Sequence, residues 1–265
     1  MVVVNGLEIA HRQSTGTGRP VVLVHGNSSS SRTWQPLLDG PFGRRFRCLA
    51  PDLPGHGGSQ RPDGGYSIAT FTAAVTGFAE VLGVQDAVFV GWSLGGHIVL
   101  EAEPQLPDAA GFAVFGTPPL PDPTAVPSAF LPNPAMGVGF AGEVSEEDAA
   151  AYAASFVAPG SPLSLHGFIA DILATDPASR EGIGAAIGSG AISDVAAIVA
   201  AMKRPLAVLH GGEEQLVSLD YLRGLDIPTL WRGEVQVIAG TGHAPHEEAP
   251  EAFADLLTEF VDDLD

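Results

Sequence analysis

Basic residues are scarce in this sequence. One lysine, Lys203, and eleven arginines stand against 31 acidic residues, leaving a formal net charge of −19 and a pI near 4.5. Such a balance repels phosphate backbones, and no Lys/Arg cluster offers an electrostatic footprint. Nucleic acid and anionic membrane are therefore excluded as main partners. A single cysteine, Cys48, rules out a disulfide within the chain, and its place in the apolar run 46–50 suits a buried structural thiol. No uninterrupted apolar run approaches the roughly 18 residues of a membrane span. Met1 to Gly6 has neither the basic nor the long apolar segment of a secretory leader. The chain reads as soluble and cytoplasmic.

What is abundant is apolar. Hydrophobic residues make up 45% of 265 positions and charged ones only 16%, a composition for one large folded unit rather than a disordered chain. The leading segments Val2–Val4 and 7–10 flank Asn5-Gly6, a hairpin signal. Short β-rich runs recur at 21–25, 48–50, 87–91 and 112–115. Between them, 68–82 carries Ile68, Phe71, Val75, Phe78 and Leu82 at spacings of three and four, the stripe of an amphipathic helix. Strand, helix, strand in this rhythm predicts an α/β fold with a mostly parallel sheet.

From Pro118 the texture changes. Pro118, Pro119, Pro121, Pro123, Pro127, Pro132 and Pro134 break regular structure, and Ala/Gly-rich helical material follows to Ala201. Ser145 ahead of Glu146-Glu147-Asp148 has the form of a helix N-cap with an acidic first turn. Gly182, Gly184, Gly188 and Gly190 suggest a hinge or a loop. The strand rhythm resumes at 206–210 and 235–239 and ends in a helix over 250–264. The economical division is a core of residues 1–117 and 203–265 with residues 118–202 inserted. Glu247, Glu248, Glu251, Asp255, Glu259, Asp262, Asp263 and Asp265 crowd the end of the chain, as a solvated helix face would.

Four separated segments carry chemistry. Gly91-Trp92-Ser93-Leu94-Gly95 follows a strand and precedes a helix, the setting of a nucleophile elbow that presents Ser93 on a tight turn. A serine hydroxyl needs a base, and the base an orienting acid. His243 follows the strand 235–239, on the sheet edge where α/β proteins bind ligands. Glu214, in the loop leaving 206–210, is the first choice of acid, with Glu213 and Asp122 as alternatives. Backbone N–H groups of Leu94 and of Asn27, in the loop after 21–24, would form an oxyanion hole. The chemistry indicated is that of a serine hydrolase. His243 and His246 are the only close pair of possible metal ligands, and Pro245 between them prevents a helical ligand face. No metal or other cofactor is expected, and His56 and His97 read as packing or hydrogen-bonding residues.

The segments His25-Gly26-Asn27, Asp52-Leu53-Pro54-Gly55-His56-Gly57-Gly58-Ser59, Gly91–Gly96 and Gly242-His243-Ala244-Pro245 resemble the α/β-hydrolase superfamily. That resemblance implies an eight-stranded, mostly parallel sheet with helices on both faces and a helical cap inserted after the sixth strand. A narrower resemblance is to the metal-independent N-acyl-homoserine lactonases of this superfamily. It rests on HGNSSS from His25, GWSLGGHI from Gly91, Gly116-Thr117-Pro118-Pro119, Ser145-Glu146-Glu147-Asp148 with Tyr152, Gly188-Ser189-Gly190, Leu219-Asp220-Tyr221 and Leu230-Trp231. It implies a glutamate acid, favouring Glu214, and substrate contacts from Asn27 and Tyr152, with Trp92 a further candidate. A small neutral ester or lactone would be the substrate. The rival readings are a general carboxylesterase and a ligand-binding protein without turnover. Haloalkane dehalogenases share the HGN start, but their aspartate nucleophile is replaced here by Ser93.

Overall fold

Residues 1–190 and 193–264 of the computed structural model are described; Asp265 and positions 191 and 192 of the expected cap lie outside them. Nine strands form among the described residues: β1 (Val2–Val4), β2 (Leu7–Ile9), β3 (His11–Gln13), β4 (Gly18–Val24), β5 (Phe46–Pro51), β6 (Val88–Trp92), β7 (Gly111–Phe115), β8 (Leu206–Gly211) and β9 (Gln236–Ile238). β1 and β2 make the expected hairpin, with Val4 opposite Leu7 and both turn residues, Asn5 and Gly6, at positive φ. That pair of angles matches the twist of the strands it joins.

The main sheet has seven strands in the order β3-β5-β4-β6-β7-β8-β9, all parallel except β3. The expected eight become seven because the chain breaks at Ala10: β1 and β2 leave as a separate ribbon, and only β3 pairs with β5. If residues 7–13 are counted as one interrupted strand, β7 is the sixth, and the helical insertion follows it. Every residue of β6, β7 and β8 is buried, as a parallel sheet covered on both faces requires. Cys48 lies within this core, and burial pushes its thiol up to about 12, far from reactivity.

The amphipathic helix Ile68–Val81 is capped by Ser67 and buries Ile68, Phe71, Val75 and Phe78. It packs on the helix Leu94–Ala102, while the short helices Gln35–Asp39 and Pro41–Arg45 pack with the terminal helix Pro250–Asp262. Above the sheet, the proline-rich stretch forms only short helical pieces, the longest of them the 3₁₀ helix Pro134–Phe140. The helices Glu146–Ala154, His166–Ala174, Pro177–Ser189 and Val195–Ala201 follow it. Ser145 caps the first of these through the Asp148 N–H.

The glycine cluster is helical rather than a loop. Gly182, Gly184 and Gly188 lie inside the helix Pro177–Ser189, which Gly190 ends at φ 72°. A side chain at Gly182 would strike the Tyr66 backbone, and one at Gly184 would press on Phe140, so two of these glycines permit close packing. Arg180, on the same helix, is buried and donates to the carbonyls of Ala141, Gly142 and Ile172, drawing three segments together.

The chain runs from β4 to β5 on one side and then to β6 on the other side of β4. At that reversal the loops beyond β4 and β6 diverge and open a crevice at the strands' carboxyl ends. Those loops carry Asn27 and Ser93.

Two glycines test this packing in opposite senses. A Cβ on Gly95 would collide with the carbonyls of Val24 and His25, so Gly95→Ala should destabilise the fold by about 1–3 kcal/mol. Gly188 is an exposed helical position with open space around it, so Gly188→Ala should stabilise by roughly 0.5–1 kcal/mol. Urea unfolding midpoints check both signs, and a neutral Gly95→Ala would contradict the contact.

Candidate active site

Ser93 sits between β6 and the helix Leu94–Ala102 at φ 54° and ψ −118°, a conformation that non-glycine residues rarely adopt. The surroundings hold it there. Its N–H donates to Phe115 O at 2.9 Å, and Thr117 Oγ1 donates to its carbonyl at 2.6 Å. Gly91, Gly95 and Gly96 let strand, helix and Thr117 approach more closely than side chains would permit.

His243 reaches the same place from beyond β9. Its Nδ1 lies 2.9 Å and 3.1 Å from the two carboxylate oxygens of Glu214, and both side chains are almost wholly buried. The acceptor pair fixes the proton on Nδ1 and leaves Nε2 free. The backbone of His243 is also held: Trp92 Nε1 donates to its carbonyl at 2.8 Å. Gly116, at φ 60°, lies against the ring, where a side chain would come within about 3 Å of three ring atoms.

Glu214 also accepts the Leu216 N–H at 2.8 Å. Burial opposes ionisation of this carboxyl, yet the His243 charge, the hydrogen bonds from His243 and Leu216, and His210 outweigh it, and its pKa is lowered from 4.5. Glu213 is exposed, and Asp122 is spent on capping the turn at Thr124. Of the three acids weighed, the structure brings only Glu214 to His243.

Ser93, Leu94, Asn27, Tyr152 and His243 share the lining of one cavity of about 190 Å³. Its remaining walls are mostly apolar and include Met136, Phe140, Ile183 and Ile187 from the inserted segment. Ser93 and His243 make no direct hydrogen bond; such contacts often tighten only around substrate. The backbone N–H groups of Asn27 and Leu94 have no hydrogen-bond partner among the described residues. Asn27 is tied to the insertion, donating through Nδ2 to Gly139 O at 2.6 Å and accepting from Ser28 Oγ at 3.2 Å. Burial raises the Tyr152 phenol far above its ordinary value and keeps it a donor. Trp92 stands apart. It is buried and does not line the cavity, and its one donor is engaged by His243.

The histidine-rich loops act as scaffolding. His25 accepts the Leu53 N–H and donates to Gly26 O, while Asp52 accepts the Ser31 and Gly58 N–H groups. Burial, with His25 nearby, pushes His56 down to about 3, so its neutral ring pairs with Pro54 O and the Ser28 N–H. His246 contacts Trp34 and Trp92 and pairs with Thr33 Oγ1 at 2.7 Å. Among the described residues, no group of three or more His, Cys, Asp or Glu side chains could hold a metal ion, and no helix is long and apolar enough to cross a membrane.

Two acidic residues depart from expectation. Glu247 and Glu248 are half-buried and bonded rather than part of a solvated face: Glu247 accepts from Thr33 Oγ1, and Glu248 accepts the N–H groups of Gly242 at 2.6 Å and Ala158 at 2.9 Å. Glu248 thereby ties the loop of His243 to the insertion. The acidic residues that follow, from Glu251 to Asp263, are exposed as expected.

The model of the alpha/beta hydrolase family matches residues 21–256. The chain belongs to that family. Its fold superposes with a TM-score of 0.92 on a serine-to-glycine variant of the N-acyl homoserine lactonase AidH complexed with N-hexanoyl homoserine lactone. The two are 37% identical over 97% of this chain and 94% of the other. The esterase RhEst1 from Rhodococcus sp. ECU1013 follows at a TM-score of 0.83 and 25% identity, covering 100% and 98% of the two chains. An uncharacterised protein of Mycobacterium tuberculosis (strain ATCC 25618 / H37Rv) is 35% identical over 92 residues, which span 35% of this alpha/beta hydrolase but only 27% of the longer relative. Family and neighbours alike mark a hydrolase.

Replacement of the two neighbouring glutamates separates their roles. Glu214→Gln should lower kcat/KM by orders of magnitude and Glu213→Gln by less than about threefold, and the reverse order would reassign the acid. A carboxyl whose pKa is lowered on folding adds stability above its ordinary value of 4.5 and loses it as pH falls through the lowered value. The stability gap between wild type and Glu214→Gln, read from urea unfolding, should therefore narrow below about pH 4. A gap that widens as pH falls below 4.5 would contradict the lowered carboxyl.

Proposed function

We propose that this hydrolase opens the lactone ring of N-acyl-homoserine lactones through an acyl-enzyme on Ser93. The observation that carries this reading is the likeness to a lactonase along 97% of the chain, with Ser93, His243, Asn27 and Tyr152 around one apolar cavity. The substrate class suits that cavity. A homoserine lactone is a neutral strained ester with an amide-linked tail, and no carboxylate, lysine or arginine side chain lines the walls. A neutral molecule also meets no electrostatic barrier at a surface of net charge −19.

In this mechanism Ser93 Oγ attacks the ring carbonyl carbon while His243 Nε2 takes the hydroxyl proton. The tetrahedral oxyanion receives hydrogen bonds from the Asn27 and Leu94 N–H groups, each worth roughly 3–4 kcal/mol of barrier. Collapse breaks the bond to the ring oxygen, and His243 returns the proton to it. The leaving group stays tethered because it is the other end of the same acyl chain. Water then loses a proton to His243 and attacks the ester carbonyl, releasing N-acyl-homoserine and restoring Ser93. Glu214 orients the imidazole and stabilises its cation throughout. Trp92 acts by holding the His243 backbone, and Tyr152 donates to a substrate carbonyl.

The second reading is an esterase for open-chain esters, favoured by the RhEst1 likeness. Mass spectrometry on lactones of short, medium and long acyl chains, beside a p-nitrophenyl ester, separates the two. The lactonase should add one water to the lactones faster than it cleaves the ester. Ester cleavage without ring opening would overturn the lactone assignment. Ser93→Ala should reduce both reactions by about 10⁴-fold or more, and chelator treatment should leave them unchanged. Activity retained by Ser93→Ala would sink the acyl-enzyme; a chelator-induced loss restored by zinc would require a metal.

A further inference from the structure

One ionisable pair at the cavity has no part in the mechanism above. His97 lies one turn beyond Ser93 on the helix Leu94–Ala102, its N–H donating to Ser93 O, and its side chain lines the same cavity. His97 Nε2 lies 3.4 Å from Glu101 Oε2, one further turn along. Both atoms are buried, and neither has a hydrogen-bond partner of ordinary geometry among the described residues. A carboxylate facing Nε2 favours the proton there, which makes Nδ1 the acceptor. Nδ1 pairs with no described residue.

Counting the polar groups around the cavity shows what that acceptor is for. The Asn27 side chain donates one Nδ2 proton to Gly139 O and accepts from Ser28 Oγ, keeping a second Nδ2 proton, and Thr117 Oγ1 donates to Ser93 O. Ser93 and His243 react. Among the residues lining this mostly apolar cavity, Tyr152 OH and the second Asn27 Nδ2 proton are left as donors and His97 Nδ1 as an acceptor. A donor beside an acceptor is the complement of a secondary amide, whose C=O accepts and whose N–H donates.

We propose that His97, oriented by Glu101, accepts a hydrogen bond from the amide N–H of the substrate and makes this hydrolase prefer acyl groups that carry an amide beside the scissile carbonyl. Glu101 is a positioning residue, acting through the His97 tautomer. The inference rests on the hydrolase reading of Ser93 but not on the lactone, so the two can fail separately.

The test compares kcat/KM within two substrate pairs. One is N-hexanoyl homoserine lactone against a γ-butyrolactone bearing a plain alkyl chain. The other is the p-nitrophenyl ester of N-hexanoylglycine against that of nonanoic acid. Wild type should favour the amide member of each pair. His97→Phe and His97→Gln should cut that preference by about tenfold, the scale of one hydrogen bond, mostly through KM. His97→Asn, whose Oδ1 falls near the place of Nδ1, should restore most of it, and Glu101→Ala should erode it. Because the readout is a ratio, loss of folded protein does not mimic it, and Asn against Gln decides should the Phe variant fail to fold. An unchanged ratio in Phe and Gln variants, or equal ratios in Asn and Gln variants, would overturn the proposal. Preference in the ester pair without any lactone opening would refute the lactone reading and leave this one standing.

Discussion

The positive φ of Ser93 is the constraint on which the rest of the site depends. A serine forced to 54° is unstable alone and persists only where its neighbours over-determine it. Here the neighbours are small by necessity: Gly91 faces Gly95, Gly95 faces the Val24 and His25 carbonyls, and Gly96 faces Thr117. Thr117 in turn bonds the Ser93 carbonyl. The same turn that strains the backbone lifts the hydroxyl off the sheet and leaves the Leu94 N–H unbonded at the start of its helix. The strain and the unbonded Leu94 N–H thus share one cause.

Around that turn, core and insertion are stitched together by hydrogen bonds and an ion pair. Asn27 supplies a backbone donor while its side chain holds Gly139 O. Glu248 joins the His243 loop to Ala158, and Arg32 pairs with Asp171 at 2.9 Å across the same divide. Arg180 braces the segment that carries Gly139 through the neighbouring carbonyls of Ala141 and Gly142. The cavity walls are thus coupled in position to the loops of Ser93 and His243, so packing in the insertion bears on the geometry around both side chains.

Much of this was legible in the sequence because glycine, proline and the nucleophile motif report backbone geometry directly. Asn5-Gly6 specified its turn, the apolar stripe from Ile68 to Phe78 its helix, and Gly91–Gly95 the elbow after a buried strand. Glu214 stands first among the acids by sequence, with Glu213 and Asp122 left as alternatives, since one position along a loop decides which carboxylate turns inward. Other features depended on tertiary contacts that carry no local signal. Glu247 and Glu248 looked like surface charge because their partners lie far away in the chain, at Thr33 and Ala158. The glycines from Gly182 to Gly188 looked flexible because glycine gives the same sequence signal whether it permits a bend or a close approach. Trp92 is a candidate substrate contact by sequence, yet its ring is buried in the core and its Nε1 is held by His243 O.

The central claim is that Ser93 becomes acylated by a lactone. Ring opening expels no fragment, so the covalent intermediate must weigh as much as the protein plus the entire substrate. Rapid acid quenching of the protein mixed with N-hexanoyl homoserine lactone, followed by intact and peptide mass spectrometry, measures this directly. The account predicts an adduct of the full substrate mass on the peptide containing Ser93, absent from Ser93→Ala. Product formation with no adduct at any quench time, at a deacylation rate slow enough for one to accumulate in the ester reaction, would contradict it.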